Sequence, residues 1–369
     1  MTRADRAWIV NLLCITALLG ACAQSESRPP PAAAPPTTTA AAPPTTTAAP
    51  AGLRPGERLL HLGVVRALAI DDSAVYAETS QYATMPVGPD TIVRLDRRTG
   101  KTISSGPILG YPGQLVSTGR WLWVDDWPIS YPQGGHHAEL VQLDARTLAV
   151  RLRISLPDQF VSLAASPTIL WVGAPTRLLR LDPDTGHFVS AIALQPGDRT
   201  NVAIDPEGRL LYVAQGNVGL DPTNPNQPYK TVVLTERDAT TGALLASRSD
   251  LPSVVGAALS PIDSPGGVWV SFPTGMLGQV QLLRAGDLAT KATFSSSSGG
   301  GEAGTNGVDG TVSGGRLWVT DGIGLLSCAD PATGRLLSTR PFLAAAVISD
   351  GSTLYAATDA GLALLRPMC

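Results

Sequence analysis

Seven times between residues 75 and 356 the chain repeats one phrase: an apolar residue, then Tyr or Trp, then Val or Ala. The copies are Val75-Tyr76-Ala77, Leu122-Trp123-Val124, Leu170-Trp171-Val172, Leu211-Tyr212-Val213, Val268-Trp269-Val270, Leu317-Trp318-Val319 and Leu354-Tyr355-Ala356. Periods of forty to fifty residues belong to arrays in which each repeat is one supersecondary unit that buries its apolar face only against its neighbours.

The residues around each copy define that unit. Before the phrase comes a tight turn, as in Asp71-Asp72-Ser73, Pro206-Glu207-Gly208 and Asp350-Gly351, and before the turn a short run of small and apolar residues such as Ala67 to Ile70. This reads as strand A, a turn, then strand B. A second phrase follows, Arg94-Leu95-Asp96-Arg97-Arg98-Thr99-Gly100. It recurs at Arg180 to Gly186 and at Asp330 to Gly334, with looser copies at Asp238 to Gly242 and Asp144 to Thr147. Asp and Thr bond nearby backbone and Gly accepts positive φ, so this phrase is a hairpin between strands C and D. No window carries a helical period. The fold class that follows is all-β: a seven-bladed β-propeller with four-stranded antiparallel blades. After Tyr355 only one further strand remains, Leu362 to Leu365, while Arg58 to Leu62 stands alone before the first blade. The N-terminal strand is therefore expected to complete the last blade and close the ring.

These repeated phrases resemble those of WD40/YVTN-like and quinoprotein-like propellers over most of residues 57–368. The resemblance implies a fold far more than a function. Quinoprotein dehydrogenases hold a quinone with residues that have no counterpart here. Streptogramin-lyase-like propellers have similar blades, but their catalytic His pattern is absent.

The N-terminus is an address. Arg3 and Arg6 precede an apolar stretch, Trp8 to Leu19, which is a signal-peptide core too short for a comfortable membrane span. It ends in Leu19-Gly20-Ala21-Cys22, which resembles the lipobox of bacterial lipoproteins. The resemblance implies cleavage before Cys22 and its acylation, palmitate included, which anchors the chain to the extracytoplasmic side of the cell membrane. Residues 22–55 carry Pro29-Pro30-Pro31 and two Pro-Pro-Thr-Thr-Thr runs, from Pro35 and Pro43. Nothing there can build a core, and proline favours an extended stalk. The expected organisation is a signal peptide at 1–21, an acylated linker at 22–55 and the propeller at 56–369.

A formal net charge of −3 without any Lys/Arg cluster gives no footprint for nucleic acid. The motifs HExxH, CxxC, GxSxG and GxGxxG are absent, and Gly100-Lys101-Thr102 lacks the upstream glycine of a phosphate loop. Antiparallel strands place the B–C and D–A connections on one face, and the long ones, such as Gln81 to Asp90, Asp125 to His137, Gln215 to Tyr229 and Ser295 to Gly307, belong to these classes. Loops on a rigid scaffold are where binding concentrates.

On that face, Asp125, Asp126, His136 and His137 read as one loop whose residue types suit a transition metal, though adjacent histidines after Gly-Gly are more commonly a solvated loop. Asp309 falls in an innermost strand and is a ligand candidate at the channel, with Arg199 and Asn201 near its mouth. No cofactor and no metal site is expected, with a metal or a quinone left open. Two readings of function follow. One is a membrane-anchored binding or scaffold module for a protein or cell-envelope ligand. The other is a propeller enzyme, a lyase, hydrolase or quinoprotein type, with its site at the channel mouth. Cys328 and Cys369, the thiols left once Cys14 is removed and Cys22 acylated, are expected to form a disulfide that pins the C-terminal tail.

Overall fold

The computed structural model describes residues 53–80, 90–107, 110–127, 139–156, 162–195, 199–217, 230–251, 258–262, 266–272, 279–295, 309–320 and 324–369. Within them the chain is all β. The first strand is β1 (Arg58–Leu60). Blade 1 is β2 (Val64–Ile70), β3 (Ala74–Ser80), β4 (Thr91–Asp96) and β5 (Thr102–Pro107). Blade 2 is β6 (Tyr111–Ser117), β7 (Trp121–Trp127), β8 (Glu139–Asp144) and β9 (Val150–Ser155). Blade 3 is β10 (Ser162–Ser166), β11 (Ile169–Ala174), β12 (Arg177–Leu181) and β13 (Phe188–Ala193). Blade 4 is β14 (Arg199–Ile204), β15 (Leu210–Asn217), β16 (Lys230–Asp238) and β17 (Leu244–Leu251). Blade 5 is β18 (Ala258–Ile262), β19 (Gly267–Phe272), β20 (Gln279–Arg284) and β21 (Thr290–Ser295). Blade 6 is β22 (Asp309–Ser313), β23 (Arg316–Thr320), β24 (Leu325–Ala329) and β25 (Leu336–Pro341). Blade 7 holds β26 (Ala346–Ser349), β27 (Leu354–Thr358) and β28 (Gly361–Leu365).

Every blade is an antiparallel four-stranded sheet. In blade 7 the outermost place is taken by β1, whose Arg58, Leu59 and Leu60 lie opposite Leu364, Ala363 and Leu362. The first strand of each blade touches the first strands of both neighbouring blades, and β26 returns to β2, so the ring is closed at its inner wall. The seven-bladed propeller and its closure by the N-terminal strand are as the repeats predict.

The core is not one mass but seven seams. The first joins Tyr76 and Ile92 of blade 1 to Leu122 and Val124 of blade 2. The same pattern continues from Trp123 to Tyr355, whose seam with blade 1 includes Val75, Ala77 and Leu95. This explains the apolar-aromatic-apolar phrase. The second strand of a blade is covered on both faces, so it cannot alternate polar and apolar residues. Its aromatic faces the next blade and its flanking aliphatics face the previous one. The seven phrase aromatics are the largest side chains buried to below 2% exposure, or to 2% for Trp318.

Every one of these aromatics except Trp318 of blade 6 leans on the C–D turn of the next blade. The turn is the Asp-Thr-Gly phrase. In blade 3 the Asp182 carboxylate accepts from Thr185 N and Oγ1 at 2.8 and 2.9 Å, and Gly186 N donates to Asp182 O at 2.8 Å. Trp123 Nε1 donates to Pro183 O of this turn, and Trp171 Nε1 to Ala239 O of blade 4. Tyr76 Oη reaches Ala145 O, and Tyr355 Oη reaches Arg97 O. In blade 4 Glu236, hydrogen-bonded to Tyr212, accepts from Gly286 N of blade 5 instead. Two turns place Leu148 and Leu288 at the positive-φ position usually held by glycine. Leu148 tolerates that strain because its buried side chain lies on Gly106 of blade 1.

The seam between blades 6 and 7 has no such turn, because the outermost strand of blade 7 is β1 and not a strand that follows β28 through a hairpin. Here Cys328 of β24 and Cys369 form the expected disulfide, with Cα atoms 6.0 Å apart. Beside it the buried Arg340 guanidinium pairs with Glu57 at 2.9 Å, and Glu57 also accepts from Arg54 N and Arg366 N.

The turn glycines give a clean test. Gly242 has φ +76°, and a Cβ there meets the Ile192 side chain and Trp171 at 2.9 Å, whereas Gly351 has φ +88° with nothing within 4 Å. Gly351→Ala is expected to cost only the left-handed backbone penalty of about 1–2 kcal/mol. Gly242→Ala adds a seam clash, so its loss of stability in chemical denaturation exceeds that of Gly351→Ala by roughly 1–3 kcal/mol.

Candidate functional site

The expected candidates fall into three groups. Cys22, His136 and His137 lie outside the described residues. Asp309, Arg199 and Asn201 sit on innermost strands, but not together. Arg199 and Asn201 are on β14 of blade 4 and Asp309 on β22 of blade 6, with β18 of blade 5 standing between. Asn201 is partly exposed and lies opposite Ala214; Arg199 lies opposite Gly216.

Asp309 is a latch between blades. Its Oδ2 accepts from Val347 N on β26 at 2.9 Å, and its Oδ1 from Gly310 N at 2.8 Å. Burial pushes the carboxyl up to about 6, against the pull of these two donors. Other inner-wall contacts work the same way. Ser162 Oγ donates to Thr200 O at 2.6 Å, and Leu163 N donates to Gln114 Oε1 at 2.7 Å.

Asp125 and Asp126 correct the expectation of a loop. Both belong to β7, exposed by only 2% and 1%. The pairing of β7 with β8 runs on through Asp126 opposite Glu139, which carries the strand past the point where polar residues suggested it ended. Asp125 faces its own inner strand, where a bulge between Pro112 and Leu115 turns two backbone N–H groups the same way. Its Oδ1 accepts from Gly113 N at 3.0 Å and from Gln114 N. Asp126 Oδ2 pairs with Arg153 Nη1 at 3.1 Å, and Arg153 also reaches Glu139 at 2.9 Å.

Two residues not singled out in the sequence complete this region. Glu78, fully buried at the end of β3, faces blade 2, and Asp90, 2% exposed, lies on the same face just before β4. Neither Glu78 oxygen, nor Asp90 Oδ2, nor Asp126 Oδ1, has a hydrogen-bond donor among the described residues. Burial first, then the neighbouring Asp90 carboxylate, hold Glu78 well above the usual carboxylate range, while Arg66 pulls the other way. Asp126 is also raised, by burial and by the charges of Glu139 and Asp90 against Arg153. The signal for Glu78 was in the repeat: it stands two residues past its aromatic, the register that Asp125 occupies in blade 2, where the other blades carry Gly173, Ala214, Ser271, Thr320 and Ala357. No group of three or more His, Cys, Asp or Glu among the described residues is arranged to hold a metal ion.

The architecture defines a seven-bladed β-propeller. No protein-family model matches the chain, and no curated protein matches it in sequence. Among solved structures it is similar to BamB from Moraxella catarrhalis, with a TM-score of 0.51 and 16% identity over 82% of this chain and 86% of that one. At this identity the likeness is one of fold. The propeller implied by the WD40/YVTN-like and quinoprotein-like resemblance stands; the narrower kinship with either group does not follow.

Raised carboxyls reverse the usual acid sensitivity. A group whose pKa is higher folded than unfolded stabilises the fold fully below its unfolded pKa, and that contribution is lost as pH rises through the folded value. For Asp309 the window runs from 3.8 to about 6. The thermal midpoint is expected to fall by a few degrees between pH 5 and pH 8. Glu78→Gln, which keeps a neutral polar side chain at this buried position and removes the titrating carboxyl, is expected to raise the midpoint at pH 8 and flatten the upper part of that decline in a pH series of melts.

Proposed function

We propose that this chain is an extracytoplasmic lipoprotein, tethered through acylated Cys22 and a Pro/Thr-rich stalk, whose propeller binds a protein or cell-envelope ligand through its long-loop face. The observation that carries this reading is the asymmetry of the connections. Strands A–B and C–D are joined by short turns such as 71–73 and 97–101, whereas the longer stretches of sequence, 81–90, 128–138, 218–229 and 296–308, connect strand ends of the B–C and D–A classes, at the opposite end of the blades. Evenly closed blades with length added on one side make a rigid platform for variable loops.

Chemistry at the channel mouth has weaker support. Glu78, Asp90, Asp125 and Asp126 are each at most 2% exposed, and Asp309 spends both oxygens on backbone N–H groups. A general acid or base must reach a substrate proton.

The test is photo-crosslinking of the full-length chain in its native host, with the crosslinker at Thr84 or Thr223 in the long segments, or at the exposed Thr240 or Ser352 in the turns. Discrete adducts from positions 84 and 223, none from 240 and 352, and release from the membrane fraction on Cys22→Ser are the expected results. Adducts confined to the turn face would overturn the assignment of the binding face. Membrane retention of Cys22→Ser would overturn the anchor.

A further inference from the structure

A propeller ends each blade in a strand whose outer N–H and C=O groups face solvent. Such edges template pairing with other chains, and natural sheets block them with charge, proline or distortion. Six of the seven outermost strands here carry a blocker. β5 ends in Gly106-Pro107, β9 carries Arg151 and Arg153, β17 carries Arg248 and Asp250, β21 carries Lys291, β25 ends in Pro341, and β1 carries Arg58.

The seventh, β13 of blade 3, reads Phe-Val-Ser-Ala-Ile-Ala and has neither charge nor proline. It is also the most open: every residue is exposed except Ile192, which is partly buried under the blade 4 turn at Gly242. Phe188 and Val189 are 56% and 52% exposed, among the most exposed large apolar side chains described. The strand pairs with β12 on its inner side, and among the described residues nothing pairs with its outer side.

We propose that β13 is an edge-docking site that takes an extended, uncharged, β-branched segment of a partner protein as the fifth strand of blade 3. Backbone hydrogen bonds would supply the affinity, and contact with Phe188 and Val189 the selectivity for apolar side chains. The charge pattern selects this occupant: the other edges repel or obstruct an incoming strand, and this one offers no charge for a charged segment to meet. Its size selects against a second copy of the chain. Six residues are far short of the roughly 20–30 per side that a stable interface employs, but they match a short linear strand. This edge lies on the rim, and its use does not depend on the long-loop face being functional.

The test uses the full-length chain and a dye-labelled synthetic peptide, acetyl-Thr-Val-Thr-Val-Thr-Val-amide, followed by fluorescence anisotropy. Val189→Lys puts a blocker on the exposed edge without touching a seam, and Val150→Lys places the same charge on β9 as a control. The site predicts saturable binding, a loss of at least about tenfold (about 1.4 kcal/mol) in Val189→Lys, and no change in Val150→Lys, with both variants melting like the parent. A peptide with proline at its fourth position is expected not to bind. Absence of saturable binding, or equal loss in both variants, would overturn the proposal. So would concentration-dependent dimerisation by sedimentation velocity that Val189→Lys abolishes, which would make the occupant a second copy.

Discussion

One contact recurs around the ring and the other features are arranged to permit it: the aromatic of a blade's second strand crossing the seam to the C–D turn of the next blade. An aromatic of this size buries about 150–250 Å², worth roughly 4–6 kcal/mol at about 25 cal/mol/Å², and its hydrogen bond adds about 1 kcal/mol. The turn must present a carbonyl and leave room for a ring. Asp and Thr fold the turn onto itself and glycine clears the space. Trp171 lies 2.9 Å from where a Cβ of Gly242 would be, and Trp269 lies 3.1 Å from the corresponding point at Gly334. The two phrases of the repeat are therefore halves of one interaction, written in different blades.

A ring made of such contacts has a built-in weak point, because a linear chain must begin and end somewhere. Blade 7 borrows its outer strand from the N-terminus, which removes the C–D turn that Trp318 of blade 6 would otherwise meet. Trp318 Nε1 is buried without a hydrogen-bond partner among the described residues. The Cys328–Cys369 bond and the Glu57–Arg340 pair stand at this seam. A disulfide closing a segment of about forty residues is worth roughly 3–4 kcal/mol, comparable to the contact it replaces.

Most of the fold was legible because the repeat encodes local rules. The aromatic phrase gives strand B, the Asp-Thr-Gly phrase gives the turn, and the orphan strand at Arg58 gives the closure. The candidate site was less legible. Asp125 and Asp126 look like loop residues because a polar pair after an apolar strand ordinarily marks its end; here Glu139 and Arg153 extend the pairing and enclose them. Glu78 is hidden for the same reason, as a single carboxylate inside an apolar strand, and only alignment of the blades against one another exposes it. Asp309 was placed on the correct innermost strand, but its partner is the backbone Val347 N of the next blade, and a backbone donor leaves no mark in the sequence.

The most direct measurement is hydrogen exchange followed by mass spectrometry on the full-length chain, comparing the parent protein with Cys369→Ser. If aromatic-to-turn contacts hold the ring and the disulfide replaces the missing one, protection in the variant falls first in β24 to β28 and in β1, while β7 to β16 keep parental rates. Uniform loss of protection, or loss beginning at another seam, would contradict this account.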